Sequence, residues 1–431
     1  MRLPGRIAAA IEVLADIEAR HRPVAEALKS WGLNNRFAGA GDRAAIGNLV
    51  YDTLRRKRSH AFLMGSEAPR ALVLSVVVRE WGISVEELAD LFAGDSHAPE
   101  TLSAAEIQDL GTSRDLAGAT PAVQADVPDW AVVPLRESLG EDWIAEAQAM
   151  AGRPPLDLRV NTLKANPDKV LRALARLSPE AGPVTPEGLR LPAGSADSRT
   201  PNVQTDEAYL KGLFEIQDQG SQTVSILAGA RPGEQVLDLC AGGGGKSLAL
   251  SAAMSNKGQV FAFDNDRNRL APIYDRLKRN GVRNVQVRPP APGALDDLVG
   301  KIDRVVVDAP CTGSGTWRRQ PTAKWKLTPE QVAERVAEQR AILDQAVGFV
   351  KPGGALVYIT CSVLPDENDR QASAFLERHA DFAAVPGNTL WMKHFAGSSA
   401  RARFTPEGGI LLTPLSTGTD GFYFFMARRA G

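Results

Sequence analysis

Two stretches of this chain combine the residue types that chemistry needs at a point where a strand should end. The first is Val305-Val306-Val307-Asp308-Ala309-Pro310-Cys311-Thr312-Gly313-Ser314-Gly315. Three consecutive β-branched valines predict a buried parallel strand. Pro310 has no N–H to give a ladder and stops it. Asp308 and Cys311 are left at the carboxyl edge of the sheet, where open α/β sheets bind ligands. The plain alternative is a buried free cysteine beside a loop-capping aspartate. The second stretch is Tyr358-Ile359-Thr360-Cys361-Ser362-Val363-Leu364-Pro365-Asp366-Glu367-Asn368. Again a strand ends in a cysteine and a proline follows. Two thiols at one sheet edge outweigh the plain alternative for either.

A third stretch suggests what lies beside them. Val236-Leu237-Asp238-Leu239 predicts a strand that runs into Cys240-Ala241-Gly242-Gly243-Gly244-Gly245-Lys246-Ser247. Four glycines at a strand-to-helix turn let backbone approach a ligand closely. The helix that follows offers N–H groups to an anion or carboxylate. Gly-Lys-Ser imitates a phosphate-binding loop, but Cys240 occupies the place where that loop needs its first glycine. The next strand ends at Asp264, placed to accept hydrogen bonds from ribose hydroxyls. An adenosine-type cofactor follows, either a dinucleotide or S-adenosylmethionine.

The elements that must position these groups form an α/β pattern. From about Gly212 onward, strands at 236–239, 260–263, 285–287, 305–307 and 355–359 alternate with helices at 246–254, 267–280 and 329–350. Such alternation predicts a doubly wound parallel sheet, with a last strand over 421–426 expected to be antiparallel. Residues 6–92 read as all helical, with 72–81 apolar nearly all round and so central. Residues 93–127 turn to Ala, Ser, Thr, Gly, Asp and Pro and predict a linker with one short helix near 104–110. Residues 128–211 mix helix and strand, as an RNA-binding face or a plain lid.

The totals restrict the function classes. The 431-residue chain has a net charge of −1, so global charge gives no argument for nucleic acid. Basic clusters at 55–58, 267–279 and 318–326 remain as local candidates. No apolar run is long enough for a membrane helix, and the N-terminus lacks a secretory pattern. Three cysteines make no disulfide framework, which fits a reducing cytoplasm. No close Cys or His pairing points to a metal.

Asp308-Ala309-Pro310-Cys311, Thr360-Cys361-Ser362 with Glu367-Asn368, and Asp238-Leu239-Cys240-Ala241 with Gly244-Gly245-Lys246 resemble the RsmB-like (Sun-type) family of RNA cytosine-5 methyltransferases. Arg159-Val160-Asn161-Thr162-Leu163-Lys164 and Gln217-Asp218-Gln219-Gly220-Ser221-Gln222 match as well. Gly41-Asp42-Arg43, Leu49-Val50-Tyr51 and Leu54-Arg55-Arg56 resemble an N-terminal NusB-like domain, as in the bacterial ribosomal-RNA type. The resemblance implies a NusB-like helical RNA-binding domain (1–92), a linker (93–127), an α+β RNA-binding subdomain (128–211) and a Rossmann-like class I methyltransferase domain (212–431). It implies S-adenosylmethionine as cofactor and RNA, most of all 16S ribosomal RNA, as partner.

By the same resemblance Cys361 is the nucleophile, Asp308 binds the cytosine N3/amino edge, and Cys311 assists proton removal and release. The cofactor would lie against Cys240, Ala241, Gly242, Gly243, Gly244, Gly245, Lys246, Asp264 and Asp308. RNA contacts are expected from Arg55, Arg56, Arg159, Asn161, Arg318, Arg319, Lys324 and Lys326, with Trp325 either stacked on a base or packed. What activates Cys361 stays open among the cofactor's sulfonium, Lys246 and the 329–350 helix. Two departures stand out. Gly242-Gly243 replace the family's Ala-Pro. Pro289-Pro290 occupy the place of an acid that holds the adenine amino group. Competing readings are the same chemistry on tRNA, a nucleotide-binding oxidoreductase, and a non-catalytic RNA-binding assembly factor.

Overall fold

The computed structural model describes residues 1–112 and 115–431. The chain divides into two compact units. One holds Met1–Pro154, Ala193–Pro201 and Trp317–Lys326; the other holds Pro155–Pro192, Asn202–Thr316 and Leu327–Gly431.

The first unit is helical. Leu3–Arg20, Ala40–Arg55 and Pro69–Arg79 pack around Ile7, Leu14, Ile46, Leu49, Val73 and Val77, all buried. Pro69–Arg79 is buried along Ala71–Val77, as its all-round apolar sequence predicts. Residues 93–127 are not an open linker. Ala104–Gly111 forms the expected helix, with Ser103 as its capping residue. Leu110, Ala122, Ala125 and Val127 are buried, and the Asp126 carboxylate accepts the Arg58 and Ser59 N–H groups. Ser113 and Arg114, part of the expected linker, lie outside the described residues. The polar, small-residue composition suggested a tether; a few apolar residues at the right places suffice to dock it. Among the described residues no single helix is long and apolar enough to cross a membrane.

The second unit carries two sheets. A four-stranded antiparallel sheet runs Glu180–Ala181, Gly188–Leu191, Leu156–Val160, Phe214–Ile216. It lies across the expected boundary at 211/212. Residues 128–154, expected in the same subdomain, belong to the helical unit instead. The nine-stranded sheet has the order 403–404, 410–412, 422–429, 350–360, 302–308, 235–238, 259–263, 285–288, with Phe382–Ala384 beside Phe422–Arg429. Strands from 235 to 360 pair in parallel, and Phe422–Arg429 joins antiparallel, as expected. Val305, Val306 and Val307 are fully buried. The strand order reverses direction between Gln235–Asp238 and Ile302–Asp308, which opens a crevice at their carboxyl ends.

Two helix predictions need correction. The single helix over 267–280 is two, Arg267–Leu270 and Ile273–Asn280, divided at Pro272, whose ring cannot sit in an α-helix interior without breaking its ladder. The helix starting at Pro329 ends at Val347, and Val350 already begins the next strand.

Candidate active site

Register brings the two cysteine loops together. Ile302–Asp308 and Val350–Thr360 pair in parallel with Asp308 opposite Ile359, and both strands stop there. Ala309 N–H still donates to the Ile359 carbonyl at 2.9 Å, and Gly315 N–H donates to the Cys361 carbonyl at 2.9 Å. The two loops are thus stitched side by side, and Cys311 Sγ lies 3.3 Å from Cys361 Sγ. Gly315 has to be glycine, because a Cβ there would fall 2.2 Å from the Gly421 carbonyl oxygen. The Ser314 and Ser362 hydroxyls meet at 2.9 Å, and the Asn368 amide donates to the Ser362 carbonyl.

The thiols share a cavity of about 580 Å³ with the glycine turn. Cys240, Ala241, Gly242, Gly243, Gly245, Lys246, Asp308, Cys311 and Cys361 line it. The expected cofactor residues Gly244 and Asp264 do not. Gly244 turns the chain at φ +81° against Ile273, and Asp264 accepts the Gly242 N–H through Oδ2 at 2.9 Å. Both shape the turn from behind. At the end of Val285–Arg288, just before Pro289-Pro290, Arg288 lies over the Phe261 ring and pairs with Asp297.

Lys246 carries the charge of the site. Its ammonium is buried and donates to Asp308 Oδ2 at 3.0 Å and to Ser221 Oγ at 2.8 Å. Asp308, which lines the cavity, is therefore held by its ion pair through Oδ2. Deeper in, burial pushes the Asp238 carboxyl up to about 7, with the neighbouring Asp308 charge adding to it and the Ser247 hydroxyl opposing. The Cys311 thiol is pushed well up, first by its hydrogen bond with Cys361, then by burial, the Cys361 charge and Glu367. Burial, together with Asp238, Asp264 and Asp308, also raises the Cys240 thiol and keeps it out of nucleophilic chemistry.

Several residues at the site had no role in the sequence reading. Ser221 anchors Lys246. Arg276 donates to the Gly243 carbonyl at 2.6 Å and to Glu215 at 3.0 Å, so part of the 267–279 basic cluster braces the glycine turn. Thr312, Gln339 and Glu367 form a buried network behind Cys311. Only a basic run marked Arg276 in the sequence, and nothing marked its partner Glu215.

The expected RNA contacts fare differently. Arg55 is buried, with Nε on the Arg318 carbonyl at 2.7 Å and Nη1 on Asp52 at 2.8 Å. Lys324 is buried, donates to the Arg55 carbonyl at 2.8 Å, and is pushed down to about 8 by burial. Arg318 is buried beside them. Arg159 is buried on Gln217 and pushed down to about 10, and Asn161 is buried on the Gly212 and Asn280 carbonyls. These residues are interior struts and present no surface to a phosphate. Arg56, Arg319 and Lys326 keep exposed or half-buried side chains. Trp325 is packed, donating to the Leu54 carbonyl at 2.7 Å. Among the described residues no group of three or more His, Cys, Asp or Glu is placed to hold a metal ion.

The family model for 16S rRNA methyltransferase RsmB/F matches residues 225–428, and that for the ferredoxin-like domain of RsmF/B-like methyltransferases matches 127–196. Both matches are to the RsmB/F methyltransferase group, the first over the nine-stranded sheet and its helices. Ribosomal RNA small subunit methyltransferase B of Erwinia tasmaniensis is 34% identical over 303 residues, which are 69% of this chain and 65% of that protein. A methyltransferase homolog protein from Pyrococcus horikoshii has the same fold, with TM-score 0.59 and 28% identity over 72% of this chain and 97% of its own. The crystal structure of PH0851 superposes with TM-score 0.73 and 24% identity over 100% of this chain and 99% of its own, a likeness of fold. The match to the Erwinia relative stops short of two thirds of that protein's length.

Proposed function

We propose that this chain is an S-adenosylmethionine-dependent RNA cytosine-5 methyltransferase acting on 16S ribosomal RNA. The family-model matches and the relatives' names support the substrate class. The observation that carries the chemistry is the pair of thiols 3.3 Å apart, in one cavity with Asp308, Lys246 and the glycine turn.

The residues present fit the cofactor. The cavity is within the range of about 300–1,000 Å³ usual for small-molecule sites. Its wall is a glycine turn opening the helix Gly245–Ala253, and Asp264 stands at the end of the neighbouring strand. When bound there, S-adenosylmethionine supplies an electrophilic methyl group on a sulfonium.

Cytosine carbon-5 is a poor nucleophile until a thiolate adds at carbon-6. Cys361 supplies that thiolate and forms the carbon–sulfur bond. Asp308, held by Lys246, takes the N3/amino edge of the base and supports the charge that develops on the ring. Carbon-5 then forms its new bond to the methyl carbon as the methyl–sulfur bond breaks, that bond's electron pair staying on the departing, now neutral sulfur. Removal of the carbon-5 proton restores the ring double bond, and the electron pair of the carbon-6 bond returns to Cys361 as thiolate. Cys311 acts on both sides of this sequence. Held protonated by the causes above and 3.3 Å from the Cys361 sulfur, it would support the thiolate before attack. Bonding of Cys361 to carbon removes the largest of those causes, so Cys311 can then lose its own proton and serve as the base. The target base must leave its stack at a cost of a few kcal/mol, least in an unpaired loop.

The test incubates Cys311→Ser and Cys361→Ala with 16S ribosomal RNA and S-adenosylmethionine. Cys311→Ser is expected to accumulate a protein–RNA adduct that survives denaturation, since addition proceeds and release does not. Cys361→Ala is expected to give none. An adduct formed by Cys361→Ala would reverse the two roles.

A further inference from the structure

Glu367 presents a carboxylate that is completely buried, and among the described residues no ion pair reaches it. An uncompensated buried charge costs several kcal/mol and persists only where hydrogen bonds satisfy it. All the side-chain hydrogen bonds it accepts come from the loop and helix around Cys311. Thr312 N–H donates to Oε1 at 2.8 Å, the Thr312 hydroxyl donates to Oε2, and Gln339 Nε2 donates to Oε1 at 3.0 Å. The same Gln339 amide donates to the Pro310 carbonyl at 3.0 Å. Cys311 is therefore clamped on both sides, through the residue before it and the residue after it. Glu367 is itself fixed, since the Tyr358 hydroxyl donates to its carbonyl at 2.6 Å from within the strand that ends just before Cys361.

We infer that Glu367 is the positioning residue for Cys311, its buried carboxylate holding the Pro310–Thr312 turn so that the Cys311 sulfur stays against Cys361. The inference rests on the proposed reaction for its catalytic consequence, but its geometric content stands apart from it. A fixed negative charge this close also favours the protonated form of Cys311, in the same direction as burial and the thiol pair. The clamp thus sets both where the thiol is and when it can part with its proton.

Glu367→Gln keeps the shape and removes the charge. Its thermal midpoint, compared with wild type, establishes that the variant is folded. With 16S ribosomal RNA and S-adenosylmethionine it should turn over at least about tenfold more slowly and accumulate a denaturation-resistant adduct, as Cys311→Ser does, because release is the step that needs a placed Cys311. A merely structural role would depress adduct formation and turnover together. Combining Cys311→Ser with Glu367→Gln should cost no more than Cys311→Ser alone, since the second change acts only through the first residue.

A second measurement needs no RNA. In a Cys361→Ala background, iodoacetamide labelling of Cys311, followed by mass spectrometry across pH, should be at least about threefold faster near pH 8 when Glu367 is also Gln. Unchanged labelling, or slow turnover without adduct while Cys311→Ser does form one, overturns the inference. Faster labelling with no adduct from Cys311→Ser upholds the clamp and sinks the proposed reaction instead.

Discussion

Gly244 sets the steric limit of the cofactor turn. Its φ of +81° lies in the left-handed region, and a Cβ there would fall 2.5 Å from Ile273 Cγ1. Gly244→Ala is expected to weaken S-adenosylmethionine binding at least about tenfold by titration calorimetry, from strain plus clash. Adding Ile273→Val should recover only part, because the backbone strain remains. Gly243, in the family's proline position, does not take a positive φ, whereas Gly242 does at +48°. At this scale the sequence was readable where one residue carries its own signal. The two cysteines were legible because each lies just past a strand end near a proline, Cys311 after Pro310 and Cys361 before Pro365. Glu367 was visible as part of a motif but not as a clamp, since Thr312 and Gln339, which it holds, are 55 and 28 residues away. The arginines failed for the opposite reason. Arg55 and Arg56 are adjacent and identical in type, yet the helix turns one into the interior, onto Asp52, and leaves the other half-buried.

Elements were legible when their periodicity was complete in itself. The parallel strands and Pro69–Arg79 met that condition, and Pro272 broke a helix by a rule the sequence already contained. Residues 93–127 did not, because their docking depends on partners elsewhere in the helical unit. The pairing of Lys57–Met64 with Pro69–Arg79 adds a pH response that composition could not reveal. His60 on the first is buried, with Nδ1 on the Ser75 hydroxyl of the second at 2.8 Å and Nε2 without a hydrogen-bond partner. Burial, reinforced by the Arg56 and Arg79 charges, pushes it down from 6.5 to about 3. The folded protein keeps His60 neutral while the unfolded chain protonates it below pH 6.5. Its contribution to stability is thus complete above about pH 6.5 and is lost progressively as pH falls toward about 3. At pH 5 the loss amounts to about 2 kcal/mol, from roughly 1.5 pH units at 1.36 kcal/mol each. Urea unfolding at pH 7.5 and pH 5 should show wild type losing about that much more than His60→Gln. Equal losses would mean that His60 is not the group responsible.

At the scale of the whole molecule, four sequence-defined segments become two units, because packing does not respect chain order. Ala193–Pro201 and Trp317–Lys326 leave the stretches that precede them and join the helical unit. Arg153 reaches the Ser195 carbonyl at 2.8 Å, and Lys324 reaches the Arg55 carbonyl. No local pattern encodes either excursion. Their consequence for RNA binding is measurable. With a net charge of −1 the chain has no overall field to draw a polyanion, so the proposed RNA affinity would rest on individual cations at the surface. Lys326, exposed at the end of the 317–326 segment, belongs to that set; Arg55, buried in the interior on Asp52, does not. Lys326→Gln should therefore reduce the slope of log affinity against log salt by about 0.7–0.9, the release of one counterion, while leaving the thermal midpoint in place. Arg55→Met should do the reverse. It orphans the Arg318 carbonyl and removes a buried partner of Asp52, at a cost of about 1–3 kcal/mol in stability, with the salt slope unchanged. Filter binding of 16S ribosomal RNA over a salt series, beside thermal melts of both variants, separates the two effects. A lower slope for Arg55→Met would return that residue to the RNA surface.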